Sequence, residues 1–249
     1  MTEKFVEILS IPFIDSNMDE FVNKIIYPRI MNQDKTFVVT ANPEIVEYAN
    51  EHQDYKDIIL SADYITPDGV GIIMASKWLN QPLQERITGF DLMNQLFQVA
   101  DRKALKIYLL GAEEDVIEAA ALKVKRQYPG IELVGYHHGY IDIKDTSLAM
   151  SIAELEPDII LTALGFPRQE KWVSKHYPLF KKGVFMGVGG SFDVLAGKVN
   201  RAPVFWQKMR LEWLYRLIQQ PSRWKRMLAL PRFVFKVKRL RKKVQRSGT

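Results

Sequence analysis

Strand-like apolar runs alternate with helix-like segments through the second half of the chain. The strand-like runs are residues 107–111, 132–136, 158–165 and 183–189, and the helix-like segments are 113–128, 146–155 and 167–175. The run at 158–165 is apolar almost throughout, which is typical of a parallel strand buried on both faces. This rhythm predicts an α/β fold with a Rossmann-like core, in which a mostly parallel sheet is flanked by helices and joined by right-handed crossovers.

The first half of the chain is expected to add shorter elements to this core. Residues 4–14 indicate a hairpin or an edge strand, because Pro12 cannot donate to a central ladder. A helix over residues 18–30 is expected to begin at Asp15 or Ser16, whose side-chain oxygens suit an N-cap. The remaining patterns predict a strand over 36–40 and helices over 44–51, 70–79 and 90–100.

Asp68 stands on a turn between a short apolar strand and the helix expected over 70–79. Pro67 presets one backbone angle of this turn, and Gly69 permits angles that a side chain would forbid. The carboxylate has two interpretations: it is the N-cap of the following helix, or it is a functional acid at the edge of the sheet. Turn chemistry alone favours the cap.

Polar side chains also stand at the end of the preceding strand. Thr40 and Asn42 are found there, and Asn42 suits an N-cap because Pro43 suits the first helical position. Open α/β sheets bind ligands at such strand ends, although local sequence alone favours a simple cap. Arg86 lies in a loop before Thr88, the expected cap of the next helix. A loop arginine is a solvated charge unless the fold brings it to an anion.

Three of the predicted strand ends carry glycine, at Gly111, Gly165 and Gly187–Gly190. Glycine lets a ligand approach the backbone and helix N-termini attract phosphate, so these ends suit a nucleotide. No segment matches the dinucleotide fingerprint or the P-loop, so neither NAD nor P-loop ATP chemistry is indicated. The alternative is that these glycines only form tight turns. The adjacent His137 and His138 do not predict a metal site, because neighbouring side chains of an extended segment point in opposite directions.

The composition excludes several kinds of site. The chain has no Cys, which excludes disulfides and thiolate metal ligands and fits a reducing cytosol. Its first residues lack the basic start and apolar core of a secretion signal, and no run reaches the roughly 18 apolar residues of a membrane-spanning helix. We therefore expect a cytoplasmic protein.

Charge divides the chain into two parts. Residues 197–249 contain 16 Lys and Arg against one acid, Glu212, whereas the rest of the chain contains 19 basic and 28 acidic residues. A strongly basic segment on a mildly acidic body indicates an anionic partner. We predict an α/β core over residues 1–197 and a basic amphipathic helical appendage over residues 198–249.

The appendage carries Trp and Phe on apolar stripes between Lys and Arg, and Pro221 and Pro231 are expected to break it into three helical segments. Basic amphipathic helices of this kind suit an anionic membrane surface. Two alternatives remain: the helices pack on their own core or on a partner chain, or the interleaved basic and aromatic residues bind a nucleic-acid strand.

Several segments together resemble the WecG/TagA/CpsF glycosyltransferases (glycosyltransferase family 26). The segments are TANPEIV (40–46), PDG (67–69), RITG (86–89), YLLG (108–111), HGY (138–140), GFPRQEKW (165–172), GVGGSF (187–192) and RAP (201–203). They occur in the family's order and cover nearly the whole chain. A single segment identifies the family only weakly, but the ordered set is specific. The Asn-Pro-Glu-Ile-Val segment, the His-Gly-Tyr loop and the basic tail are most similar to the TagA/TarA branch of wall teichoic acid synthesis.

The resemblance implies an inverting transfer of N-acetylmannosamine from UDP-N-acetylmannosamine to N-acetylglucosaminyl-diphospho-undecaprenol, with a β-1,4 linkage, at the inner face of the cell membrane. It implies that Asp68 is the general base. The match also implies that Thr40 and Asn42 hold sugar groups, that Arg86 meets a phosphate and that Gln169 contacts substrate. The match implies that a loop lies against the UDP, with contacts from Gly187, Gly189, Gly190 and Ser191. It also implies that three arginines of the tail bind phosphate, namely Arg216, Arg223 and Arg226.

The resemblance further implies that the reaction needs no metal and no cofactor. The sequence has no Asp-x-Asp pair, and arginines can compensate the charge of the leaving UDP. The implied partners are a UDP-sugar, a polyprenyl-diphosphate acceptor, an anionic membrane surface and further copies of the chain, without nucleic acid. One alternative is a relative that uses UDP-N-acetylmannosaminuronic acid or UDP-glucose for another surface polysaccharide. The other is a nucleotide-binding module whose basic tail holds nucleic acid.

Overall fold

The computed structural model describes residues 3–203, 205–206, 209, 211–219, 221, 224 and 228–247, with side chains for all of these except 216 and 243–247. A hairpin of two antiparallel strands, β1 (Phe5–Ile8) and β2 (Ile11–Ile14), comes first. One parallel sheet contains β3 (Lys35–Ala41), β4 (Tyr64–Pro67), β5 (Lys106–Gly111), β6 (Glu132–His137), β7 (Ile159–Ala163) and β8 (Gly183–Gly187). The order across this sheet is β4-β3-β8-β7-β5-β6. The predicted α/β fold with a mostly parallel sheet is confirmed.

Helices connect the strands. The first, α1, is built from Met18–Glu20, a π-helical stretch Phe21–Ile26, and Tyr27–Met31. The others are α2 (Pro43–Glu51), α3 (Gln53–Leu60), α4 (Val70–Trp78), α5 (Gly89–Lys103), α6 (Glu114–Gln127), α7 (Ser147–Glu154), α8 (Arg168–His176), α9 (Ser191–Ala196), α10 (Glu212–Gln219) and α11 (Ala229–Ser247). Neither α3 nor the π-helical stretch was anticipated from the sequence.

Buried apolar side chains form one layer on each face of the sheet. The first layer comes mainly from α1, α5, α6 and α9. The second comes from the hairpin and from α2, α3, α4, α7, α8 and α11. The chain therefore leaves β3 toward one face, through α2, and leaves the neighbouring β8 toward the other, through α9. Parallel strands whose connections diverge in this way leave a crevice at their carboxyl ends, where such sheets bind ligands.

The start of α1 differs from the prediction. Asn17 is the N-cap, and its Oδ1 accepts a hydrogen bond from Glu20 N at 2.9 Å, so neither Asp15 nor Ser16 caps this helix. Asp15 instead accepts from Gln84 N at 2.9 Å. Three successive residues can each supply a capping oxygen. The bond to Gln84 engages Asp15 elsewhere, and Ser16 Oγ donates to Asn17 O at 3.1 Å, so Asn17 supplies the cap.

The last helix, α11, packs on the core against α2 and α4. Phe233 and Val237 are fully buried in the second layer, and Lys236 Nζ lies 2.7 Å from Glu47 Oε2. Pro231 lies in the first turn of α11, where proline is tolerated, so the predicted break at Pro231 is wrong. Packing on the chain's own core, one of the two alternatives, thus applies to α11. The division of the chain into two parts stays a prediction.

Other apolar side chains of the C-terminal part are exposed. They are Phe205, Met209, Ile218, Trp224, Leu228 and Phe235. They accompany the Lys and Arg residues that make this part of the chain basic. Across the ranges given above, the structure contains no helix that is both long and apolar enough to cross a membrane.

Candidate active site

Backbone hydrogen bonds join the turn after β4 to two neighbouring segments. Asp68 N donates to Ala41 O, and Ile87 N donates to Pro67 O, each at 3.0 Å. The turn is therefore held between the end of β3 and the loop that precedes α5. Gly69 has a φ of +100°, a value that residues with side chains rarely adopt, which confirms the predicted need for glycine.

The side chain of Asp68 meets the first residue of α5. Its Oδ2 accepts a hydrogen bond from Gly89 N at 3.3 Å, and the residue is partly buried. The N-cap position of α4 is Gly69, and within the described part of the chain no side chain caps α4. The interpretation of Asp68 as the cap of α4 is therefore wrong. The N-terminal end of a helix carries positive partial charge, which favours a carboxylate anion at this place.

Thr40 approaches the same helix start from the neighbouring strand. Its Oγ1 donates to Gly187 O at 3.4 Å. A Cβ atom added to Gly89 would lie 3.0 Å from Thr40 Oγ1. The absence of a side chain at Gly89 therefore allows β3 and α5 to approach each other closely. The fold thus brings Thr40 and Asp68 to one helix start, at the carboxyl ends of β3, β4 and β8.

Two helix caps near the crevice confirm local predictions. Asn42 Oδ1 accepts from Ile45 N at 3.0 Å and caps α2, and Thr88 Oγ1 accepts from Asp91 N at 3.1 Å and caps α5. The cap uses the amide oxygen of Asn42. A contact of Asn42 with substrate stays a prediction, and the cap does not use its Nδ2 group.

Gln169 holds the loop after β8 in place. Its Oε1 accepts from Gly189 N at 3.1 Å, and its Nε2 donates to Glu170 Oε1 at 2.7 Å. The residue is 4% exposed, and a Cβ atom added to Gly187 would overlap Nε2. Gln169 therefore sets the path of this loop from beneath. Its predicted contact with substrate stays a prediction.

Further hydrogen bonds fix the same loop. Ser191 Oγ donates to Val188 O at 2.6 Å, and Val188 N donates to Thr162 O at 2.8 Å. The hydroxyl of Ser191 is thus used within the loop. The loop lies at the edge of the crevice, beside Thr40. A contact of UDP with Gly187, Gly189, Gly190 and Ser191 stays a prediction.

Glu170 is a buried acid on the inner face of α8, the face that also carries the buried side chains of Trp172 and Val173. Burial raises the pKa of this carboxyl from its ordinary 4.5 to about 7. Burial, together with the charge of Glu170, also raises the pKa of the Tyr55 hydroxyl. The Tyr55 hydroxyl therefore stays neutral, and the Glu170 carboxyl is mostly neutral below a pH of about 7. A neutral carboxyl can still accept from Gln169 Nε2, which keeps the Oε1 atom of Gln169 turned toward Gly189.

We expect Glu170→Gln to remove one component of the pH dependence of stability. The folded-state pKa of Glu170 lies above its unfolded value, so its contribution is present below pH 4.5 and is lost as pH rises toward about 7. Between pH 4.5 and 8 the free energy of unfolding of the wild type should therefore fall, relative to the variant, by on the order of 2–3 kcal/mol. Urea unfolding at pH 4.5 and 8 measures this difference. The exposed Glu118→Gln is the control, and equal pH dependence in all three proteins would contradict the assignment.

Arg86 is bound to an acid of the C-terminal part. Its Nη2 lies 2.7 Å from Glu212 Oε2. Glu212 Oε1 lies 3.7 Å from Arg201 Nε, and Arg201 forms a two-pronged contact with Asp91, at 2.8 and 2.9 Å. Asp91 is in the first turn of α5, so this charge cluster adjoins the helix start that meets Asp68. The phosphate contact of Arg86 stays a prediction.

The three arginines expected from the tail cannot be placed. Arg216 lies in α10 but its side chain is not described, and Arg223 and Arg226 lie outside the described residues. Where side chains are described, no group of three or more His, Asp or Glu is arranged to hold a metal ion.

Two cavities lie away from Asp68. One, of about 260 Å³, is between α2 and the start of α11, and is lined by Tyr48, Phe166 and Arg232 among others. The other, of about 360 Å³, lies beside α7 and is lined by His137 and Trp172 among others. The candidate site is therefore defined by the strand ends and the start of α5.

Sequence reasoning missed three contributors to this site: Gly89, Glu170 and Glu212. Gly89 was part of a recognised segment, but its role depends on a fold that brings α5 to β4. Glu170 has the appearance of a surface residue next to Arg168 and Lys171. A signal for Glu212 was present, because it is the one acid in the basic C-terminal part.

Comparison with known proteins shows extensive similarity. The sequence profile described as "Glycosyl transferase WecG/TagA/CpsF family" matches residues 6–248. A protein of Bacillus spizizenii is 44% identical over 223 residues, which cover 89% of this chain and 86% of that protein. A protein of Staphylococcus aureus strain MW2 is 39% identical over 97% of this chain and 95% of its own length. Both are named N-acetylglucosaminyldiphosphoundecaprenol N-acetyl-beta-D-mannosaminyltransferase.

Proposed function

Because the chain belongs to the WecG/TagA/CpsF family of glycosyltransferases, we propose that it transfers N-acetylmannosamine from UDP-N-acetylmannosamine to N-acetylglucosaminyl-diphospho-undecaprenol. The product would be the β-1,4-linked disaccharide lipid used in wall teichoic acid synthesis. The names of the relatives support the acceptor and the transferred sugar. The observation that carries the assignment of the site is the position of Asp68 at the start of α5, beside Thr40.

Asp68 is the proposed general base. As the acceptor hydroxyl attacks the anomeric carbon, its proton passes to the Asp68 carboxylate, and the bond from that carbon to the UDP oxygen breaks with its electron pair leaving on UDP. Attack from the face opposite UDP converts an α-linked donor into a β-linked product. The hydrogen bond from Gly89 N to Asp68 Oδ2 holds the carboxylate at the sheet edge, and a base needs such a fixed position.

The other residues of the crevice have proposed binding roles. Thr40 Oγ1 and Asn42 Nδ2 would contact sugar groups. The loop that Gln169 supports, from Gly187 to Ser191, would lie against UDP. An arginine has five N–H donors, so Arg86 can hold Glu212 at Nη2 and still offer Nε and Nη1 to a phosphate.

The basic C-terminal part is the proposed contact with the membrane. Exposed apolar side chains, including Phe205, Ile218 and Phe235, lie in a segment that carries a large excess of Lys and Arg. That combination suits the anionic inner face of a cell membrane, where the lipid acceptor resides. Arg216, Arg223 and Arg226 would compensate the diphosphate charge there. The same exposed apolar groups would favour self-association of copies away from the membrane.

A donor panel tests the proposed function. The full chain is incubated with a short-chain polyprenyl-diphosphate N-acetylglucosamine acceptor and with UDP-N-acetylmannosamine, UDP-N-acetylmannosaminuronic acid or UDP-glucose. We expect UDP release and the mass of one added N-acetylhexosamine with the first donor alone. Transfer from one of the other donors alone would identify a different polysaccharide. With the natural long-chain acceptor in vesicles, transfer should rise with the fraction of anionic lipid and fall with salt.

A further inference from the structure

Glu212 is the one acidic residue after Gly197, and the structure places it against two arginines. Arg86 Nη2 lies 2.7 Å from one of its carboxylate oxygens, and Arg201 Nε lies 3.7 Å from the other. Glu212 is the first residue of α10, whereas Arg86 comes from the loop before α5. This ion pair therefore ties the C-terminal part to the core across a long stretch of sequence.

The charge cluster is partly buried and balanced. The side chain of Glu212 is 14% exposed, and those of Arg86 and Arg201 are each 27% exposed. Arg201 also holds Asp91, so two positive and two negative groups face one another. An exposed surface ion pair contributes little, but removing one member of a partly buried cluster leaves an uncompensated charge. Without the Glu212 carboxylate, Arg86 would lose this counter-charge, whereas Arg201 would keep Asp91.

The cluster is joined to Asp68 by short connections. Ile87 N, one residue after Arg86, donates to Pro67 O, one residue before Asp68. Asp91, at the other end of the cluster, lies two residues after Gly89, whose N–H meets Asp68 Oδ2. A shift of Arg86 or of the first turn of α5 would therefore move the proposed base. Misplacement of a reacting group by about 1 Å can cost about 10²-fold in rate.

We propose that Glu212 is a positioning residue for sugar transfer. It docks α10 on the core and orients Arg86 and the first turn of α5. The proposal rests on the proposed function for its link to turnover, but the docking contact stands on the ion pairs alone. The competing interpretation is that the Glu212 carboxylate occupies the place of a substrate phosphate and has to leave before UDP binds.

The test compares Glu212→Gln, Glu212→Asp and a control, Glu20→Gln, which alters an ordinary exposed pair with Lys24. We expect Glu212→Gln to lower the kcat of transfer about tenfold or more. Trypsin should cleave its C-terminal part several times faster than in the wild type. The Asp variant, which keeps the charge on a shorter side chain, should be intermediate, and the control should match the wild type in both measurements. Arg86→Gln in the Glu212→Gln background should cause less loss than it does alone, because the two residues act as a unit.

Two results would overturn the proposal. The first is equal proteolysis and equal kcat in the wild type and Glu212→Gln. The second is faster transfer or tighter UDP binding in Glu212→Gln, since that identifies the carboxylate as a competitor of phosphate. If Glu212→Gln does not fold, Glu212→Asp gives the same comparison. The proteolysis measurement requires neither the sugar donor nor the lipid acceptor. If the wild type transfers no sugar, the proposed function is wrong, but the cleavage rates still test the docking contact.

Discussion

Asp68→Asn is expected to reduce sugar transfer by about 10²- to 10⁴-fold while leaving the fold intact. The amide has nearly the shape of the carboxylate, and its oxygen can still accept from Gly89 N. It cannot take up the proton of the acceptor hydroxyl at neutral pH. Initial rates of UDP release in the presence of the lipid acceptor measure the effect, and circular dichroism and thermal unfolding report the fold.

Asp57→Asn is the matched control for this substitution. Asp57 is an exposed aspartate on α3, and its carboxylate contacts only a surface glutamine among the described residues. It should transfer sugar at the wild-type rate. Wild-type turnover in Asp68→Asn would show that another residue is the base. Loss of turnover together with loss of UDP binding would instead assign Asp68 to donor recognition.

Phe233→Ala is expected to lower the free energy of unfolding by about 3–5 kcal/mol. Phe233 is fully buried where α11 packs on α2 and α4, so truncation removes buried apolar area and leaves a cavity. Urea unfolding of the full chain measures the change. The expected loss is a large part of the roughly 5–15 kcal/mol by which natural domains are stable.

Phe235→Ala is the matched control, because the same ring stands two residues further along the same helix but is 69% exposed. Its effect on the free energy of unfolding should stay within about 0.5 kcal/mol. If both substitutions have equal effects, then α11 does not belong to the core in solution. The contrast also serves the membrane proposal, since Phe235→Ala should weaken vesicle binding without weakening the fold.

The packing of α11 changes how the tail can be studied. Deletion of everything after Gly197 would remove Phe233 and Val237 from the core, so a resulting loss of activity would not report on catalysis by the tail. Single and combined substitutions at Arg216, Arg223 and Arg226 avoid this difficulty. Full unfolding curves of these variants would show whether the core is retained.

The strands of the sheet could be predicted because a buried strand is recognisable from the apolar residues of its own segment. A central strand of a parallel sheet is covered on both faces, so nearly all of its residues are apolar. The run at residues 158–165 shows this composition whatever its position in the strand order. The caps at Asn42 and Thr88 could be predicted for a similar reason. Each oxygen bonds an N–H only three residues further along the chain, so spacing alone determines the contact.

Contacts between distant segments could not be predicted in this way. The carboxylate of Asp68 meets an N–H that lies 21 residues away, and nothing in the turn distinguishes that from a cap of α4. The side chain of Glu170 is buried although Arg168 and Lys171 lie close to it in the sequence, because α8 turns it toward Tyr55. Pro231 was expected to break a helix, but it falls in the first turn, where its missing N–H has no partner to lose.

The sequence alone determined the parallel sheet, two of the helix caps, the division of charge and, through its ordered segments, the family. Those features depend on the periodicity of apolar residues, on bonds between near neighbours and on composition. The tertiary structure decided that Asp68 faces α5, that Gln169 holds the loop after β8 and that Glu212 binds Arg86. Each of these depends on which strand ends and helix starts are adjacent, and that adjacency is set by the packing of both faces of the sheet.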